Sequence, residues 1–136
     1  MIAFHVRTNR GEYDLEAQVR LVGDDLLVAI YGGEKPHIGA VAMAQPRPSL
    51  RDFGLTSATA SVFCYVGHKE DDLAKHAAER LAARFNTRVV VTAGIHWDSL
   101  SEEGIRKVVE NGKVLVDQIV ERVRSESSSQ RTGGRP

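Results

Sequence analysis

The chain has 136 residues, of which 42% are apolar and 26% charged, and its 18 lysines and arginines balance 18 aspartates and glutamates. That size suits one domain with a usable core, and the zero formal charge gives no global basic field to draw nucleic acid or anionic lipid. It also gives little resistance to self-association. The single cysteine, Cys64, excludes an intramolecular disulfide and points to a reducing compartment. With no apolar run of membrane-spanning length and no signal-peptide pattern, a cytoplasmic protein is expected.

Ile2–Arg7 alternates weakly and reads as a first strand, closed by the turn cluster Thr8-Asn9-Arg10-Gly11. The stretch Tyr13–Leu21 has period two: Tyr13, Leu15, Ala17, Val19 and Leu21 share one face and polar residues the other, as in an antiparallel strand covered on one side. Gly23-Asp24-Asp25 makes a turn. Leu26–Tyr31 then returns apolar on both faces, which places it centrally in a sheet or against another subunit. The loop Tyr31-Gly32-Gly33-Glu34-Lys35-Pro36-His37-Ile38-Gly39 follows. It holds more glycine, charge and imidazole than a hairpin needs, and leads into a strand at Ile38–Ala44.

Gln45–Thr59 carries Pro46 and Pro48, which argue against a central strand, so a long loop or edge excursion is expected. Ser61–Val66 reads as a strand, with Cys64 as a buried thiol. A helix is expected over Glu70–Phe85, with Leu73, Ala77, Leu81 and Phe85 inward, acids in its first turn and Asn86 at its left-handed end. Thr87–Ala93 is a further strand. Ser99 with Glu102 fits a capping box, with Ser101 as a rival cap. The second helix places Ile105, Val108, Val109, Gly112, Val116, Ile119 and Val123 on one face. Residues 125–136 are polar and low in complexity, so the reading is one domain over 1–124 and a disordered tail over 125–136. The fold class is α+β: a mostly antiparallel five- or six-stranded sheet with two helices packed on one face.

Three of the five histidines stand at strand ends beside glycine, in Pro36-His37-Ile38-Gly39, Gly67-His68-Lys69 and Gly94-Ile95-His96-Trp97. Gathered on one sheet edge, His37, His68 and His96 would hold a divalent or monovalent metal ion. Alternatively, with Lys35, Lys69 and the amides of Gly32, Gly33, Gly39 and Gly94, they would bind an anion such as phosphate. The third alternative is that all are ordinary turn residues. His5 and His76 read as structural. Trp97 is placed to stack on a planar ligand or to sit at a rim. The sequence lacks a nucleophile elbow, a phosphate loop, a dinucleotide turn and a Cys-x-x-Cys pair, and nothing nominates an acid–base pair.

Gly32-Gly33-x-x-Pro36-His37-Ile38-Gly39, His68-Lys69 and Thr92-Ala93-Gly94-Ile95-His96, in that order, resemble the small prenylated-flavin chaperone family. Its members are the "D" subunits encoded with UbiD-type hydroxyarylic acid decarboxylases. The likeness runs from about Tyr13 to Val123. It implies a proteasome-assembly-chaperone-like fold, a homodimer, and a non-catalytic protein that binds prenylated FMN and delivers it to the apo-decarboxylase. The residues suit such a ligand: Gly32, Gly33, Lys35 and Lys69 could supply the donors and cations a flavin phosphate needs, and Tyr31, Ile38 and Trp97 are candidates for the apolar slot of the isoalloxazine. By the resemblance, the matching positions His37, His68 and His96 would contact the phosphate directly or through a cation. The segment Gln45–Ala60 departs from the family pattern. Two rivals are a protein-assembly scaffold without cofactor and a small histidine-metal enzyme. Leu26–Tyr31 and the second helix are the expected dimer contacts.

Overall fold

The computed structural model describes residues 3–52, 54–65 and 70–133, with side chains as far as 127. Six strands and two helices follow in the order β1 (Ala3–Arg7), β2 (Leu15–Val22), β3 (Asp25–Gly33), β4 (Ala40–Pro48), β5 (Thr56–Cys64), α1 (Asp71–Phe85), β6 (Val89–His96) and α2 (Glu102–Gly133). The strands form one sheet in the order β1-β2-β3-β6-β4-β5. Every pairing is antiparallel except β3 with β6, so the sheet is mixed and mostly antiparallel, as expected of an α+β fold.

Alternation decides which face is covered. Leu15, Ala17 and Val19 of β2, Leu26, Val28 and Ile30 of β3, Val89, Val91 and Ala93 of β6, and Ala40, Ala42 and Ala44 of β4 are buried together. Both helices lie on that face, α2 across β1 and β2, α1 across β4, β5 and β6. The α1 side of the contact is Ala74, Ala77, Ala78, Leu81 and Ala82. Alanines on helix and strand let the two backbones come close. β3 is central, as its two apolar faces require. Its other face, Leu27, Ala29 and Tyr31, points away from both helices.

Asn86 adopts φ 50° at the C-terminus of α1, as its sequence position predicts. At α2 the rival cap is the one used: Ser101 Oγ accepts from Gly104 N–H at 3.0 Å, and the helix begins at Glu102. Its inward stripe is Asn111, Gly112, Leu115, Val116, Ile119 and Val123, whereas Ile105 and Val109, expected inward, are 51% and 56% exposed. In these first turns the covered side runs through Gly104, which faces Leu100 and Tyr13, and leaves Ile105 and Val109 beside it in solvent. The buried Asn111 is satisfied by donating to Tyr13 O at 2.7 Å. α2 continues through 125–133, where a disordered tail was expected, and the Arg122–Glu126 pair one turn apart supports the continuation.

Gln45–Thr59 takes the form of the edge excursion rather than of the long loop. It is an extended β4–β5 ribbon, with Pro46 opposite Ala58 and Pro48 opposite Thr56. The pairing of β4 with β6 ends at Ala44. Beyond it β4 has a free edge, where a residue without N–H breaks no ladder.

Candidate functional site

Strands β3 and β4 are consecutive in the chain but not neighbours, because β6 lies between them. The glycine loop therefore has to step across the end of β6, and its composition follows from that step. Gly32 and Gly33 close β3 opposite Ile95 and His96. The N–H groups of Glu34 and Lys35 both donate to His96 O, at 2.7 and 3.4 Å, and Gly39 N–H donates to Ala93 O at 2.9 Å. A Cβ on Gly94 would overlap the carbonyl of His37, so the loop crosses directly over that residue. These loop amides thus satisfy the carbonyls at the end of β6 rather than facing an external anion.

The side chains of the crossing make two linked clusters. Lys35 Nζ lies 3.1 Å from Asp98 Oδ1, and His96 Nε2–H donates to the same oxygen at 2.9 Å. Hydrogen bonds from His96, then from Lys35, pull the Asp98 carboxyl down to about 2. This cluster is solvent-exposed, so the ion pairs contribute little stability and separate readily. The second cluster is enclosed. His37 Nδ1 lies 2.8 Å from Lys35 O, a group that only accepts, so Nδ1 carries hydrogen. His37 Nε2 faces Glu70 Oε1 at 3.0 Å, and the same oxygen accepts from Ile95 N–H at 3.2 Å. The other carboxylate oxygen, Oε2, is buried without a hydrogen-bond partner among the described residues.

Lys35 joins the clusters, its carbonyl receiving His37 and its ammonium sharing Asp98 with His96. Two members of the histidine trio are thus brought to one crossing. The third, His68, lies with Lys69 outside the described residues. Among the described residues no group of three or more His, Cys, Asp or Glu side chains is placed to hold a metal ion. His37 has both ring nitrogens engaged by the chain itself.

The apolar candidates separate. Trp97 packs against the core with its ring edge-on to Tyr13, centroids 5.4 Å apart. Tyr31 alternates to the uncovered face, where its hydroxyl accepts from Gln18 Nε2 at 3.2 Å. Ile38 projects from the loop and is exposed. Trp97 and Tyr31 therefore do not line one slot. Glu70 and Asp98 were missed as site residues. Glu70 reads in sequence as one more acid at a helix start, although here it makes no cap bond. Asp98, two residues after His96 at a strand end, carried a usable signal.

Residues 9–124 match the family described as "Prenylated flavin chaperone LpdD-like domain". The chain is 25% identical over 113 residues to Protein LpdD of Lactiplantibacillus plantarum, an alignment covering 83% of this chain and 79% of that protein. Its fold is similar to a chain in the crystal structure of a chaperone complex for yeast 20S proteasome assembly, with a TM-score of 0.56 and 16% identity, covering 92% of this chain and 96% of that one.

Proposed function

The chain belongs to the prenylated flavin chaperone LpdD-like family, and we propose that it holds prenylated FMN and hands it to the apo form of a UbiD-type hydroxyarylic acid decarboxylase, without itself decarboxylating. In this reading it works in the cytoplasm as a homodimer. Among the described residues no helix is long and apolar enough to cross a membrane.

The observation that carries the reading is the Lys35–Asp98–His96 cluster at the crossing loop. A phosphate dianion presents the same acceptor chemistry as Asp98 with more charge, and the exposed pairs it would replace are weak. Lys35 and His96 would hold the phosphate, and Tyr31 and Ile38 would meet the ring. The enclosed His37–Glu70 pair fixes the loop that presents them. The acid-rich start of α1 (Glu70, Asp71, Asp72) is a poor phosphate seat.

The test is to produce the protein in cells that also make prenylated FMN, desalt it, and identify the released flavin by absorbance and mass spectrometry. Wild type should retain the flavin, and Lys35→Ala with His96→Ala should lose at least about tenfold in affinity, on the scale of two charge-assisted hydrogen bonds. Retention unchanged in the double variant would remove the site assignment. A second reading, a protein-assembly chaperone without cofactor, draws on the uncovered apolar sheet face. It expects a colourless protein that takes up no added flavin.

A further inference from the structure

The two edges of the sheet are guarded differently. β1 is only five residues long and carries His5 and Arg7. Gln118 of α2 donates to Arg7 O at 3.3 Å, so a side-chain amide occupies part of its outer edge. β5 is nine residues long, with no charged residue and no proline from Thr56 to Cys64, and among the described residues it pairs with β4 alone. Charge, proline and brevity are how edge strands avoid pairing with other chains, and β5 uses none of them.

The register shows which groups are open. Ser49 N–H donates to Leu55 O and Tyr65 N–H to Gly39 O, so the odd-numbered residues of β5 bond to β4 and the even-numbered ones direct N–H and C=O outward. Ala58, Ala60 and Val62 thus present a row of donors and acceptors that another extended backbone matches. Their side chains alternate to the helix side, where Ala58 and Ala60 pack on the core and add little bulk beside α1. On the opposite side Phe63 and Tyr65 are 64% and 52% exposed, their rings edge to face with centroids 5.3 Å apart.

We propose that a strand of the flavin-accepting decarboxylase adds to the outer edge of β5, a docking that rests on the carrier reading above and gives it a contact surface. The segment that fits is extended, uncharged opposite Ala58–Val62, and bulky and apolar at alternate positions, so that those side chains lie over the alanines toward α1. Phe63 and Tyr65 supply aromatic anchors on the other side. A second copy fits less well. Two β5 strands paired about their midpoint would set Ala60 against Ala60 and Ala58 against Val62, which buries little. The place suits a handover, because the Tyr65 N–H bond to Gly39 O ties the end of β5 to the exit of the crossing loop, so a strand laid on β5 brings its owner beside that loop.

Amide hydrogen exchange followed by mass spectrometry, on the chain alone and mixed with a UbiD-type apo-decarboxylase, tests the edge. Exchange across 56–64 should slow at least about tenfold in the mixture while 3–7 stays unchanged. Ala58→Pro and Ala60→Pro each remove an outward N–H without touching the β4 ladder, so both should keep their circular dichroism and bound flavin. Their affinity for the apo-decarboxylase should fall at least about tenfold, the scale of one or two backbone hydrogen bonds. His5→Pro, on the outward side of β1, should bind as wild type does. No complex, no slowing across 56–64, or full affinity in both β5 proline variants overturns the proposal. Slowing that sets in as the chain alone is concentrated from about 5 to about 100 µM assigns the edge to a second copy and overturns it too. A complex with β5 protected, formed by a chain that never holds prenylated FMN, refutes the carrier reading and leaves the docking edge supported.

Discussion

Replacing Gly94 with alanine tests the crossing most sharply. The added methyl would overlap the His37 carbonyl and lie 3.0 Å from Ile38 N, so the obstacle is backbone and no side chain can swing aside. Gly94 sits in the middle of the sheet between β3 and the crossing loop, so the loop has to lift. Lifting it loosens the bonds from Glu34 and Lys35 to His96 O and from Gly39 to Ala93 O. Each of the three bonds contributes about 1 kcal/mol net, and overpacking adds about 1–3 kcal/mol, giving a destabilisation of roughly 4–6 kcal/mol if all three are lost. Urea unfolding with a fixed m-value reads the loss, and amide shifts should move across 34–39 and 93–96 while α2 stays put. A change below about 0.5 kcal/mol, or shifts confined to residue 94, would refute a loop packed directly on β6.

Glu70→Ala leaves His37 Nε2 and Ile95 N–H without their acceptor, so it should cost about 1–3 kcal/mol in urea unfolding, with Glu70→Gln milder because its amide oxygen still accepts. Equal stability of Glu70→Ala and wild type would remove the enclosed pair as the loop's fixing point. Asp98, held down to about 2 from 3.8, binds its proton less readily folded than unfolded. Its contribution is therefore complete above pH 3.8 and lost as pH falls through about 2. A carboxyl carbon titration by NMR should give a midpoint near 2 in wild type and move toward 3.8 in Lys35→Ala with His96→Ala. A wild-type midpoint near 3.8 would show that the cluster does not form in solution.

Much of the fold was readable where a local pattern and its burial coincide. The alternation of β2 named Leu15, Ala17 and Val19 as core, the two apolar faces of β3 placed it centrally, and Asn86 marked the end of α1. What was left open or failed depended on partners distant in sequence. Pro46 and Pro48 excluded a central strand but did not choose between loop and edge, because the choice rests on β6 ceasing to pair at Ala44. Ile105 and Val109 keep the helical period of α2, but the first turns are covered through Gly104, against the distant Tyr13, and those two side chains stay exposed. The site shows the same division. The loop's glycines and histidines were legible as unusual. That its amides would face β6 follows only from the strand order, in which β6 enters between β3 and β4. Of the carboxylates that complete the clusters, Glu70 looked like an ordinary acid at a helix start, whereas the place of Asp98 two residues after His96 was a signal left unused.

The most direct test of a flavin carrier is transfer. The protein, loaded with prenylated FMN and freed of excess, is mixed with a UbiD-type apo-decarboxylase, and flavin on each partner is followed after separation. The account predicts that flavin leaves this chain and that decarboxylase activity appears in proportion. Flavin that stays bound, or activity no greater than with free cofactor at the same concentration, would contradict it.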